Sequence, residues 1–342
     1  MQRTTNQEFH SPGAVTVEAP GRLHLGFIDL NGGLGRCFGS LGLALTEPAT
    51  RLTVRAARGI GVDGLGAERI GACAQRLLDA LALPGIHIAV ESMIPDHVGL
   101  GSGTQLALAL GTALSRIYGL GLSTRDIAAL TDRGARSRIG VGTFESGGVL
   151  LDGGRGAEDA PPPMIARLPF PEHWAVILVF DARGQGLHGD KERDAFRRLA
   201  PFPAESAAHL SRLALMQILP AVAEQDLTRF GGGVAELQRT VGDYFAPAQG
   251  GRFASPAVGA ALQWLDSAGA VGIGQSSWGP TGFALVDDAA RAEAMVREAR
   301  LRLRDHAPLT FCVAGGRNDG ARLTVREHAQ RVATRAPSHI SS

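Results

Sequence analysis

The residues best suited to chemistry lie in the run Pro95-Asp96-His97-Val98-Gly99-Leu100-Gly101-Ser102-Gly103-Thr104-Gln105, directly before a long apolar stretch. Glycines at this density let backbone N–H groups turn inward. A helix starting there adds about half a positive charge at its N-terminus, so the run from Gly99 through Leu100, Gly101, Ser102 and Gly103 to Thr104 is suited to phosphate. Ser102 and Thr104 add hydroxyl donors. A tight strand-to-helix turn is the plainer reading, but a glycine costs up to about 1 kcal/mol relative to alanine inside a helix. The run lacks the Gly-Lys-Ser/Thr of a Walker loop and the Gly-x-Gly-x-x-Gly of a dinucleotide fingerprint.

Other candidates surround it in sequence. Arginine pairs with a planar carboxylate or phosphate through two parallel hydrogen bonds, which singles out Arg22 and Arg36 as clamps, a surface ion pair being the alternative for each. Asp29 opens the polar segment Asp29-Leu30-Asn31-Gly32-Gly33-Leu34-Gly35-Arg36. There it can bind metal, support an arginine, stabilise a developing cation, or simply form an Asx-turn. His24 is either catalytic or a hydrogen-bonded core histidine. Phe144 and Trp278 offer stacking surfaces or ordinary core bulk.

These residues need elements to hold them. Short strands are predicted at Val15–Ala19, Leu52–Arg55 and Ile86–Glu91, a helix over Ile70–Leu83, a buried helix over Thr104–Tyr118, and a third from Thr124, as N-cap, to about Ser137. Gly147–Leu151 reads as a closing strand. A proline-rich stretch, Ala157–Pro171 with Pro161, Pro162 and Pro163, marks the boundary between units placed at residues 1–160 and 172–335. Beyond it the pattern is a strand at Trp174–Phe180, helical segments over Lys191–Gln225 and Ser255–Ser267, a strand pair within Val271–Val286, a helix at Ala289–Leu303 and a strand at Leu309–Val313. The fold class is α+β, the second unit following a βαββαβ plan.

With 342 residues, 44% hydrophobic and 20% charged, the chain is neither disordered nor fibrous. A net charge of +1 gives no bulk field toward nucleic acid or anionic lipid, and no apolar run is long enough for a membrane span or signal peptide. Cys37, Cys73 and Cys312 lack metal-ligand spacing, which fits a reducing cytoplasm.

The Pro-x-x-x-Gly-Leu-Gly-Ser-Gly-Thr run resembles the second motif of the GHMP kinase superfamily. Ala19-Pro20-Gly21-Arg22-Leu23-His24 resembles its first, and Gly272-Ile273-Gly274-Gln275-Ser276-Ser277-Trp278-Gly279-Pro280-Thr281-Gly282 its C-terminal glycine motif. The resemblance implies an N-terminal α/β domain like domain 2 of ribosomal protein S5, a ferredoxin-like C-terminal domain, and a site between them that includes Ser276 and Ser277. Phosphorylating members commonly carry an aspartate seven residues before a Gly-Gly pair. Here that count from Gly147-Gly148 lands on Gly140, which cannot accept a proton; Glu145 is the substitute that keeps a kinase reading open.

Three further stretches resemble one branch, the β-ribofuranosylaminobenzene 5′-phosphate synthases: Arg22 to Leu43, Arg136 to Gly148, and Gly186-Leu187-His188-Gly189 followed by Glu192. That resemblance implies coupling of phosphoribosyl pyrophosphate to 4-aminobenzoate, or to 4-hydroxybenzoate, with loss of CO₂ and pyrophosphate, in methanopterin biosynthesis. It implies Mg²⁺, a homodimer, and substrate contacts from Arg138, Glu145, His188, Lys191 and Glu192. A solvated helix start explains Asp190-Lys191-Glu192 equally well.

Overall fold

The computed structural model describes residues 12–156, 160–183, 197–304 and 308–327. Its first half is built on two long antiparallel strands, β1 (Ala14–Asp29) and β2 (Phe38–Ala56). Their pairing slips between Pro20 and Arg22 and again between His24 and Gly26. Such bulges bend a strand and re-aim its side chains, and here they bracket the two residues expected to do chemistry.

The strands β3 (Gly59–Asp63), β4 (Gly85–Ser92), β5 (Val149–Asp152), β6 (Met164–Leu168) and β11 (Arg322–Arg326) complete a seven-stranded sheet of order β11-β1-β2-β4-β3, with β5 on β2 and β6 on β5. Two of these strands depart from the expected chain division. The proline-rich stretch carries β6 as an outer strand directly after Pro163, and β11 returns from the far end of the sequence to pair with β1.

Helices α1 (Ala67–Leu81) and α2 (Ser102–Ile117) cover this sheet. Leu106, Leu108, Leu110 and Leu114 of α2 are buried against Val15, Val17, Leu52 and Ile88, each contributing on the order of 1.5–3 kcal/mol. Helix α3 (Thr124–Leu130) starts one residue earlier than expected, Ser123 and Asp126 forming a reciprocal capping box. It also stops well short of Ser137, because Asp132 and Gly134 adopt positive φ and turn the chain before α4 (Ile139–Ser146). The expected helix is thus cut to its first half, and a mostly half-buried loop leads from it to α4.

The second half carries a four-stranded antiparallel sheet of order β10-β7-β9-β8, from β7 (Ala175–Asp181), β8 (Val271–Gln275), β9 (Gly282–Val286) and β10 (Leu309–Gly315). This is the ferredoxin-like arrangement the resemblance implied. Its first crossover includes α5 (Ala204–Leu213), a π-helical turn (Ala214–Ile218), α6 (Leu219–Ala223), α7 (Leu227–Gln249) and α8 (Pro256–Ser267); α9 (Ala289–Arg302) makes the second. One core joins the halves: Leu23, Leu25, Leu41 and Leu43 pack in the same cluster as Val176, Leu178, Phe230 and Leu237.

Candidate active site

The three glycine motifs meet. Arg22, in the bulged part of β1, donates from Nη1 to the Gly99 carbonyl, and its backbone N–H donates to Leu100 O at 3.1 Å. Ser276, wholly buried, donates from Oγ to the same Gly99 carbonyl at 2.8 Å and accepts from the His24 N–H at 3.0 Å. Ser277 N–H reaches His24 O at 3.4 Å.

The absence of side chains makes the approach possible. A Cβ on Gly99, at φ +90°, would sit 2.1 Å from Ser276 O; one on Gly279 would sit 2.1 Å from Val98 O. Leu100 is core at 1% exposure. Arg22, Ser276 and the Gly99 end of the loop therefore join the two domains. The structure uses the Arg22 guanidinium on protein backbone, and Ser276 gives its hydroxyl proton to that backbone too.

The other end of the loop is different. Gly101 precedes α2 in the left-handed conformation and supplies no capping side chain, so the positive end of a 16-residue helix is presented by Ser102, Gly103 and Thr104. Two arginines that the motifs did not reveal stand there. Arg69 of α1 donates to Ser102 Oγ at 3.2 Å and pairs with Asp96. The Arg133 guanidinium lies about where a Cβ on Gly103 would touch it, at 3.4 Å. Burial lowers the Arg69 pKa, and repulsion from the Arg133 charge acts the same way. Like charges held this close favour an anion between them.

Gly140, where kinases of this superfamily carry their base, packs against Thr104: a Cβ would sit 3.1 Å from Thr104 Cγ2, and Gly140 O accepts from the buried Gln105 Nε2 at 2.7 Å. Glu145 lies on the last turn of α4 with its carboxylate paired to Arg138 Nη2 at 3.3 Å. Arg138 caps the start of that helix. Its backbone N–H and the Ser137 hydroxyl both donate to Asp152 Oδ2, at 2.8 and 2.9 Å, while Ser40 and Gly154 N–H groups donate to Oδ1. Burial pushes the Asp152 carboxyl up, and these hydrogen bonds pull it back toward ionisation. Asp152 is thus the hub that fixes the arginine loop, a role its position after Val149-Leu150-Leu151 gave only a faint sign of.

Asp29 and Arg36 form a separate corner. Asp29 Oδ1 accepts from Asn31 and Gly32 N–H groups at 2.8 and 3.0 Å, the Asx-turn alternative. Arg36 donates from Nε to Gly153 O at 2.7 Å and from Nη2 to Gly154 O at 2.6 Å. Both residues shape a loop next to Asp152. His188, Lys191 and Glu192 lie outside the described residues.

His24 is 4% exposed. Burial, then the charges of Arg22 and Arg136, lower its pKa to about 3, so the ring is neutral at neutral pH. It stands edge-on to Phe27 at 4.6 Å and borders a cavity of about 30 Å³ with Phe245, Trp278 and Ser277. Trp278 and Phe144 are themselves buried. A second, larger cleft of about 480 Å³ lies between α3, α4 and the chain after β5, and Arg133 lines it.

For Mg²⁺, no group of three or more His, Cys, Asp or Glu side chains able to hold a metal occurs among the described residues. Mg²⁺ needs few protein ligands when phosphates supply the rest. No helix among the described residues is long and apolar enough to cross a membrane.

The comparisons with known proteins bear on the family and the fold. Residues 68–148 match the N-terminal domain of GHMP kinases and residues 218–305 the GHMP kinase C-terminal domain. The chain is 33% identical over 336 residues to the β-ribofuranosylphenol 5′-phosphate synthase of Methanothermobacter thermautotrophicus, covering 90% of this chain and 98% of that one. It is 36% identical over 287 residues to the enzyme of the same name from Archaeoglobus fulgidus, covering 80% and 88%. Among solved structures, Lactococcus lactis galactokinase complexed with galactose aligns at a TM-score of 0.66 and 16% identity, over 91% of this chain and 95% of that one.

Proposed function

Because the chain belongs to the β-ribofuranosylphenol 5′-phosphate synthase family, on a GHMP kinase frame, we propose that it is a pentosyltransferase of methanopterin biosynthesis. It joins phosphoribosyl pyrophosphate to a 4-substituted benzoate. The relatives' name, a ribosylated phenol, favours 4-hydroxybenzoate over 4-aminobenzoate as the acceptor.

The observation that carries this reading is a helix start flanked by Arg69 and Arg133, with glycine at the position of the kinase base. The helix start, Arg69 and Arg133 are placed to take up a diphosphate, while Gly140 and Thr104 fill the position from which phosphoryl transfer would be directed. The chemistry needs no nucleophilic side chain. The bond from ribose C1 to the diphosphate breaks with its electron pair leaving on the diphosphate. The ring carbon bearing the carboxylate, made electron-rich by the substituent para to it, bonds to C1. The bond to the carboxylate then breaks, CO₂ leaves, and that electron pair restores the aromatic ring.

What the protein supplies is charge and alignment. Ser102, Gly103 and Thr104 present the helix end; Arg69 and Arg133 neutralise the departing group. Mg²⁺, carried in on the donor, would share that charge. Neutral His24, buried beneath the joined loops, adds nothing to the positive field. The enzyme works in the cytoplasm, as a homodimer, its three cysteines being free thiols; sedimentation tests the dimer. Incubating the protein with Mg²⁺, phosphoribosyl pyrophosphate and carboxyl-labelled 4-hydroxybenzoate should release labelled CO₂. ATP-dependent phosphorylation without CO₂ release would replace this reading with a kinase.

A further inference from the structure

We infer that the arginine-lined cleft beside the loop is a second anion site, the seat of the ribosyl donor's 5′-phosphate, separate from the cradle that takes its diphosphate. The inference rests on the proposed function for the identity of the donor, and on the cleft for everything else. The cleft is about 480 Å³, within the range of small-molecule sites. Its walls carry Arg125 from α3, Arg133 from the following loop, Arg138 at the start of α4 and Arg155 after β5, against one carboxylate, Asp132, among the described lining residues.

Four arginines from four places in the chain need separate supports to converge, and the structure supplies them. Asp152 fixes the Arg138 backbone. Paired backbone hydrogen bonds between Arg155 and Cys37, at 2.8 and 2.9 Å, fix Arg155. Arg133 borders both places: it lines the cleft and lies against Gly103 at the start of α2. Cleft and cradle therefore share Arg133 as a common wall, which sets them side by side for the two ends of one ligand.

The acceptor is the alternative occupant, and its chemistry argues against it. Clustered arginines would stabilise the carboxylate in the ground state and oppose its loss as CO₂, whereas only interactions that favour the transition state speed the reaction. A phosphate dianion that does not react carries no such penalty, and its binding energy can be used to hold the reacting carbon in place.

Direct binding separates this inference from the proposed activity. Calorimetric titration of the full chain with ribose 5-phosphate and with inorganic pyrophosphate should find two sites that fill together. In the double variant Arg125→Ala/Arg138→Ala, ribose 5-phosphate affinity should drop at least about tenfold, the loss expected for a charge-assisted hydrogen bond. Pyrophosphate affinity should stay within about twofold, which also reports that the variant is folded. The Lys/Lys pair, keeping charge but not the planar fork, should fall between.

Competition of the two probes for one site, or a double variant that binds ribose 5-phosphate normally, would overturn the inference. So would loss of 4-hydroxybenzoate binding in place of ribose 5-phosphate binding. A chain that releases no CO₂ yet binds ribose 5-phosphate in the arginine-dependent way would fail the proposed function and leave the second site standing.

Discussion

The two ends of the glycine loop share a composition and do opposite jobs. At the Gly99 end the backbone is gripped by Arg22 and Ser276 and pressed against Gly279; at the Gly103 end the nearest atoms a Cβ would meet are those of the Arg133 guanidinium, at van der Waals distance. Glycine is needed at the first because another strand of backbone occupies the space. At the second it leaves the helix start open to a ligand. The same residue type in one motif therefore marks a domain joint and, in the proposed function, a binding surface, and mutations should tell them apart.

The largest effect is expected from Gly99→Ala. Left-handed strain and overlap with Ser276 O should together remove at least about 3 kcal/mol of stability, read from urea denaturation. A variant of unchanged midpoint would mean the joint does not bear on folding. Next, Arg133→Ala should leave the unfolding free energy within about 0.5 kcal/mol while lowering kcat/KM for the ribosyl donor about a hundredfold, two charge-assisted bonds being lost. Equal losses in stability and activity would erase the distinction between the ends.

The third effect is on acid sensitivity, and belongs to the joined end. The folded-state pKa of His24 lies at about 3, below its unfolded value, so the unfolded chain binds the extra proton. Its contribution to stability is complete above about pH 6.5 and is lost as pH falls toward 3, with a slope near 1.4 kcal/mol per unit. His24→Gln should flatten that slope in denaturation curves collected from pH 7 to 4; an unaltered slope would place the acid sensitivity elsewhere. The smallest effect is that of Gly103→Ala, which should leave stability unchanged or slightly raised and increase the donor KM by only about threefold. A stability loss like that of Gly99→Ala would show that the second end is also structural.

Much of the frame was legible because it rests on local pattern. The apolar run behind Gly103 announced α2, and β4, β7, α8, α9 and β10 fell close to their predicted positions. The longest helix, α7, was not legible: Gly231-Gly232-Gly233 in its first turns reads as a break. Tertiary contact overrides that propensity, since a Cβ on Gly231 would lie 2.5 Å from Val271 Cγ2.

The site divides in the same way. The glycine loop declared itself through spacing, and Arg22 and Asp29 through residue type, but type did not say where they point: one holds a carbonyl, the other an Asx-turn. Arg69 and Arg133 come from outside every motif. In a chain where arginine is common, only folding shows which guanidinium faces the helix start.

The pairing of β11 with β1 reaches past the site. The outer side of β1 stays unpaired until residues 322–326 arrive, so during synthesis a nascent chain holding the whole glycine loop would still expose the N–H and C=O groups of that long strand. Such edges recruit foreign strands. Shortening the chain by a few dozen residues at that end should therefore yield inclusion bodies, and the cradle should resist being harvested as an autonomous module.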